Sequence, residues 1–212
     1  MKIALQLEKI LEKAWNNMPL DRQDCRYLLT IDEKSFESGM IRAAASSIIR
    51  SKNDNSAIIL GQIGVDVTSC PGGCRFCTFG EDHTKFQASN LSDEELEEKI
   101  AGFCRYDDLY GLYLMTMHTY DLERYLHMIR KAKVLVPETT QIWANVGDSS
   151  LDAFKEMKKA GVTGVYHVCR LGEGIDTKLD PNGRIQTMQN ALDAGLELYT
   201  CCEPIGPEHT VD

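Results

Sequence analysis

Apolar residues open the chain at roughly helical spacing: Leu5, Leu7, Ile10, Leu11 and Trp15. A second apolar set lies in 21–29, closed by Leu28 and Leu29. A third runs from Met40 to Ile49 through Ala43-Ala44-Ala45. The polar stretch Ser51-Lys52-Asn53-Asp54-Asn55 is a turn that ends this helical region. The texture then changes. Ala57-Ile58-Ile59-Leu60-Gly61-Gln62-Ile63-Gly64-Val65-Asp66-Val67 reads as a buried strand. Beyond it, strands at about 109–115, 141–146, 163–168 and 196–202 alternate with helices at about 93–105, 120–133, 149–160 and 182–194. Ser92 and Glu95 are spaced as a capping box at one helix start. Lys159-Ala160-Gly161-Val162 and Asp193-Ala194-Gly195-Leu196 repeat one punctuation of helix end, glycine cap and next strand.

Strand–helix units of this length imply an α/β fold with a parallel sheet and right-handed crossovers. The expected organisation is an N-terminal helical region, 1–56, and a (β/α) barrel, 57–212. About five strands are present, whereas a closed eight-unit barrel takes about 250 residues. Five would leave an open edge of unpaired backbone, so the count points to a barrel truncated at its C-terminal side.

Composition narrows the function classes. The chain has 212 residues, 43% of them hydrophobic, enough for one proper core. Its net charge is −9 with acids and bases interleaved, which argues against nucleic acid or an anionic membrane as the main partner. No apolar run approaches the roughly 18 residues of a spanning helix, and the first residues lack the apolar run of a secretion signal. A cytoplasmic location is therefore expected. There, clustered cysteines are more often a metal or catalytic site than disulfides. Three of the eight cysteines cluster.

They lie in Cys70-Pro71-Gly72-Gly73-Cys74-Arg75-Phe76-Cys77, with spacing C-x3-C-x2-C, directly after the first strand. Iron–sulfur clusters take thiolates, usually four. Three on one glycine-rich loop leave one iron without a protein ligand, open to bind and activate a small molecule. Structural zinc is the alternative, with Cys104 or His83 as the fourth ligand.

This motif, with an aromatic just before the last cysteine, resembles the radical S-adenosylmethionine (SAM) superfamily. From the preparatory helices to Glu208 the chain is similar to the biotin synthase-like subgroup, which includes hydrogenase-maturation and methylornithine-forming enzymes. The resemblance implies a [4Fe-4S] cluster on Cys70, Cys74 and Cys77 and SAM chelated to the open iron. It also implies a 5′-deoxyadenosyl radical that takes hydrogen from a small-molecule substrate, with ferredoxin or flavodoxin as electron donor. By the same resemblance Phe76 packs near adenine and Arg184 holds the SAM carboxylate. Glu173 falls near the position that meets the ribose. Thr116, in Met115-Thr116-Met117, falls where backbone oxygens meet the SAM amino group. Gly206, in Ile205-Gly206-Pro207-Glu208, matches the turn beside adenine.

Biotin synthase carries a second, [2Fe–2S] cluster on strand cysteines. Leu114, Trp143 and Tyr199 stand at the matching positions, and none is a thiolate, which argues against biotin synthesis by that route. Alternation along strands would turn Leu114 with Thr116, Trp143 with Asn145, and Tyr199 with Cys201 toward the barrel interior. There they would line a substrate pocket or simply fill the barrel. Cys169 and Cys201 leave room for sulfur transfer, while Cys25 and Cys104 read as core. His118, His167 and His209 follow strands and could handle protons. The leading expectation is a radical SAM enzyme acting on a small metabolite or cofactor precursor by mutase, lyase or sulfur-inserting chemistry. The alternatives are sulfur insertion of the biotin or lipoyl synthase kind, a non-catalytic iron–sulfur protein, or a zinc-stabilised binding module.

Overall fold

The computed structural model describes residues 4–82, 84–85, 87–206 and 209–210. The chain divides into two compact units: residues up to 57 together with the segment from 206 onward, and residues 58–205.

The first unit holds three helices, α1 (Leu5–Trp15), α2 (Arg22–Leu29) and α3 (Phe36–Lys52). Leu7 and Ile10 of α1 and Ala44 of α3 are its buried apolar residues. Asp21 caps α2 by accepting from the Asp24 N–H, and Lys13 of α1 pairs with Asp24 at 2.7 Å. Cys25, expected in the core, is exposed, because the face of α2 that turns inward carries Asp24 instead.

The second unit is built on a five-stranded parallel sheet. Its strands are β1 (Ile59–Gly64), β4 (Leu109–Met115), β5 (Gln141–Asn145), β6 (Val162–Tyr166) and β7 (Glu197–Tyr199), in that spatial order. Between β1 and β4 come a two-stranded antiparallel ribbon, β2 (Asp66–Val67) with β3 (Ser89–Asn90), and helix α4 (Asp93–Phe103). Helices α5 (Leu122–Leu135), α6 (Leu151–Ala160) and α7 (Pro181–Asp193) make the later crossovers. The alternation read from the sequence is thus the alternation in space.

The local signals act as their chemistry requires. Ser92 Oγ accepts from the Glu95 N–H, and Glu95 Oε2 accepts from the Ser92 N–H, so the capping box closes. Asp121, Ser150 and Asp180 cap α5, α6 and α7 with a side-chain oxygen that accepts from a first-turn N–H. Each cap satisfies an orphan N–H of a first turn, typically for about 1 kcal/mol.

Two expectations need correction. The buried strand over 57–67 is a shorter edge strand. β1 ends at Gly64, and Asp66–Val67 leave the sheet to pair with β3. Ile59 and Leu60 are 50% and 44% exposed: among the described residues β1 pairs with β4 alone, and Leu60 lines a cavity on the concave face. The fifth strand spans 197–199 rather than 196–202, and residues 200–205 follow in irregular backbone.

Alternation sorts the sheet into two faces. Ile63, Leu112, Leu114, Ile142, Ala144 and Val165 point toward the helices. There they form one core with Leu96, Ile100, Tyr125, Met128, Ile129, Phe154 and Met157. Leu114 therefore does not face the interior. The strand's period of two gives that face to Tyr113 and Met115, and leaves Leu114 fully buried. Tyr125 reaches from α5 to hand its hydroxyl hydrogen to the Leu114 carbonyl at 2.9 Å. On the concave face, Trp143 spreads over the two neighbouring strands. A Cβ at Gly164 would lie 2.4 Å from its ring, and one at Gly111 3.2 Å. The indole needs both glycines to lie flat, and it fills the floor of the concave face between them.

Candidate functional site

The cysteine loop leaves the C-terminal end of the sheet, where parallel α/β folds carry their chemistry. It is tied locally and to the loop after β6. Cys70 N–H donates to Phe79 O at 2.7 Å and Cys77 N–H to Cys74 O at 3.0 Å. Lys178 N–H donates to Gly72 O at 2.8 Å and Arg75 N–H to Asp176 O at 3.0 Å. Gly73 sits at φ +56°, and a Cβ there would also meet the Lys178 side chain at 2.8 Å. Glycine meets both conditions without strain.

All three thiols line one cavity of about 190 Å³. Phe79, Thr116, Met117, His118, Arg170 and Arg184 line it too. Cys74 is buried at 8% exposure, and Cys70 and Cys77 are partly exposed. Burial pushes the Cys74 thiol pKa up, and the charge of Arg170 works against that rise. Among the described residues no three Cys, His, Asp or Glu side chains converge closely enough to grip a single ion. The donor set suits a larger cofactor: three thiols around a shared space, with no other cysteine on its wall. His83, the other zinc candidate, lies outside the described residues, and Cys104 packs against the core.

Arg184, at 5% exposure, is held from three sides. Its Nε donates to Val168 O at 2.9 Å, its Nη1 to Asp148 Oδ1 at 3.0 Å, and Glu173 Oε2 stands 3.7 Å from Nε. Asp148 Oδ1 also meets His167 Nε2 at 3.0 Å and Thr187 Oγ1 at 3.3 Å. Burial opposes ionisation of Asp148, but the His167 hydrogen bond and the Arg184 charge outweigh it and hold the carboxyl below its ordinary range. Gly147 makes this approach possible. A Cβ on it would lie 1.8 Å from the His118 carbonyl oxygen, so the loops after β4 and β5 pass backbone against backbone.

Glu173, expected near a ribose, is instead a buried bridge. Its Oε1 accepts from Thr177 Oγ1 at 2.6 Å and its Oε2 from the Arg170 N–H at 3.1 Å, with the Arg170 guanidinium at 3.6 Å. With its side chain 1% exposed, its oxygens are spent on protein partners. Phe76 stands 43% exposed, with the Arg170 guanidinium 5.7 Å from its ring centre. Thr116 N–H donates to Asn145 O at 3.0 Å, and its hydroxyl to Met117 O at 3.0 Å. Gly206 belongs to the first unit, where its N–H donates to His209 Nδ1 at 3.0 Å. Pro207 and Glu208 lie outside the described residues.

A second cavity, of about 380 Å³, opens on the concave face of the sheet. Leu60, Gln62, Tyr113, Asn145, Tyr166 and Tyr199 line it. Asn145 and Tyr166 line both cavities, so the two adjoin. Trp143, expected on its wall, is not among the lining residues; it packs against Tyr113 with ring centres 5.7 Å apart. Cys201 was expected to share a face with Tyr199 by alternation, but the strand ends at Tyr199. Its sulfur lies 3.2 Å from the Tyr166 hydroxyl, which also bonds Glu203. Burial, then these two partners, raise the Tyr166 pKa well above its ordinary value. Cys169 turns its thiol to Pro181 O rather than to either cavity.

The sequence reading passed over Asp148, Arg170, Tyr113, Tyr166 and Gln62. Asp148 and Arg170 follow their strands by three and four residues, at the end where functional loops gather, and that offset was the available signal.

The pair of buried His167 and partly exposed Asp148 makes a pH prediction. Burial holds the His167 pKa below its ordinary value, against the pull of Asp148. Below about pH 6.5 the unfolded chain takes up that proton and the folded chain does not, so stability falls with pH. Asp148, depressed in the folded state, adds its own loss once pH falls below about 4. Thermal melts should be level between about pH 7 and 8 and decline below about 6.5. His167→Asn should flatten that first decline, and a wild-type profile level from about pH 7 to 5 would contradict the assignment.

No protein-family model matches the chain. No curated protein matches it in sequence either. Solved structures match it in fold. The FeFe-hydrogenase maturase HydG superposes with a TM-score of 0.76 at 16% identity, over 94% of this chain and 46% of that one. Methylornithine synthase PylB gives 0.76 at 16% identity, over 90% of this chain and 58% of its own. HydG from Carboxydothermus hydrogenoformans gives 0.70 at 15% identity, over 92% and 47%. The chain has their fold. It spans about half the length of these structures. The α/β architecture with N-terminal helices, which the chain shares with these structures, is the one that the resemblance implied. No helix among the described residues is long and apolar enough to cross a membrane.

Proposed function

We propose that the protein is a radical SAM enzyme acting on a small metabolite or cofactor precursor. One observation carries the reading. Cys70, Cys74, Cys77 and Arg184 line a single cavity, and that cavity adjoins a second, tyrosine-walled one through Asn145 and Tyr166. An electron carrier has use for the thiols but none for a neighbouring ligand-sized space.

A [4Fe-4S] cluster with SAM, when bound, supplies a 5′-deoxyadenosyl radical. The chain's own residues hold and shield. Cys70, Cys74 and Cys77 would be the cluster ligands. Arg184 would take the SAM carboxylate, because a planar guanidinium fork matches that group and this one is already fixed by Asp148 and Val168 O. Thr116 and its neighbours would meet the amino group, and the exposed face of Phe76 the adenine. Leu60, Gln62, Tyr113, Asn145 and Tyr199 would hold the substrate, with amide and hydroxyl groups to orient it and ring faces to exclude water. Such an enzyme suits a reducing cytoplasm and draws its electron from a ferredoxin or flavodoxin.

The test is anaerobic reconstitution with iron and sulfide, followed by dithionite and SAM. Production of 5′-deoxyadenosine is the expected result. A colourless protein that binds zinc tightly, or a loaded cluster that leaves SAM intact, overturns the proposal.

A further inference from the structure

The cavity that holds the three thiols has two guanidiniums on its wall, and only Arg184 has a role in the reading above. The other, Arg170, arrives on the loop after β6 and is placed as carefully. Its guanidinium lies over the ring of Phe76, the residue just before Cys77, at 5.7 Å. Glu173 Oε2 stands 3.6 Å from its Nη1, and Glu203 Oε1 3.7 Å from its Nη2. Both contacts are longer than a hydrogen bond, whereas Arg184 meets Asp148 at 3.0 Å. The Nε of Arg170 is buried and meets no hydrogen-bond acceptor among the described residues. Its side chain is 17% exposed. Here is a desolvated cation, loosely neutralised, on the wall shared by three thiols.

Positive charge beside an iron–sulfur site stabilises the reduced, more negative state, since net charge and burial are among the factors that set such potentials. We infer that Arg170 raises the reduction potential of the cluster held by Cys70, Cys74 and Cys77. Glu203 acts as a partial counterweight. The inference rests on the cluster assignment made above. Arg170 is a positioning charge in this account and need not touch a substrate.

The experiment is a potentiometric titration followed by electron paramagnetic resonance, on the reconstituted protein without SAM. Arg170→Gln should lower the ratio of reduced to oxidised cluster at a fixed potential by about tenfold. That is the scale for removing a unit charge across a cavity's width at an effective dielectric near 20. It corresponds to a shift of about 59 mV toward negative potential for a one-electron couple. Arg170→Lys should restore most of the wild-type value. Glu203→Gln should move the potential the other way, and it decides the matter if Arg170→Gln fails to retain a cluster. A wild-type protein that takes up no cluster defeats the enzyme assignment itself. A loaded wild type whose potential is matched by Arg170→Gln, or by Glu203→Gln where the former holds no cluster, defeats only the inference about Arg170.

Discussion

Replacing Cys74 with serine should reduce SAM cleavage to background, a loss of more than about a hundredfold. Substitutions beyond the ligand shell of a metal site already cost 10–100-fold, and this one removes a ligand. Cys74 is the buried member of the three, so water has the least access to take its place. A serine hydroxyl stays protonated at neutral pH, whereas thiolates are the ligands iron–sulfur clusters take. The fold should survive. In the cluster-free form the variant should lose only about 1 kcal/mol, the cost of one added buried hydroxyl. Cys104→Ser is the control: its thiol packs against the hydrophobic core, and turnover should stay at the wild-type level. Assay of 5′-deoxyadenosine on both variants settles the point, and substantial cleavage by Cys74→Ser removes the cluster from the site proposed for it.

Asp148→Ala should be the most damaging single change to stability near the site. One carboxylate oxygen serves Arg184 Nη1, His167 Nε2 and Thr187 Oγ1, side chains from the loop after β6 and from α7. Its removal leaves the Arg184 guanidinium, 6% exposed, with Glu173 at 3.7 Å as its remaining carboxylate neighbour. Arg184 is buried and Asp148 partly exposed, so breaking the pair costs up to about 3 kcal/mol, chiefly the penalty of the stranded charge. For a chain of this size that lowers the melting temperature by about 6–12 °C. Asp148→Asn keeps an acceptor oxygen and should lose roughly half as much. Calorimetry of the three proteins distinguishes the cases. A melting temperature for Asp148→Ala within about 2 °C of wild type would mean that Arg184 does not depend on this carboxylate.

The repeating strand–helix pattern was legible because hydrophobic period, caps and glycines are local properties. Ser92 with Glu95, and the glycines at 161 and 195, mark element ends through contacts within a few residues. The cysteine triad was legible for the same reason: its spacing is written in one loop. Arg184 could be nominated from the resemblance, but not its setting.

What failed was whatever depends on which neighbour a strand has. Leu114 was assigned to the interior by analogy with a relative's position, and the phase of the β4 pleat gives that face to Tyr113. The alternation that paired Tyr199 with Cys201 lapsed because β7 ends at Tyr199, and where a strand stops pairing is decided by its partner. Glu173 looked available for a ligand until Thr177 and the Arg170 backbone were seen to occupy it.

Taken alone, then, the sequence determined the order and kind of elements and a triad of thiols on one flexible loop, all set by interactions a few residues long. The tertiary structure alone decided that Asp148, from the β5–β6 crossover, meets His167 and Arg184, from the β6–β7 crossover, and that Arg170 and Arg184 share a cavity wall with those thiols. It alone decided that a tyrosine-walled space opens beside them. Such meetings are set by sheet register and loop approach, which no local spacing encodes.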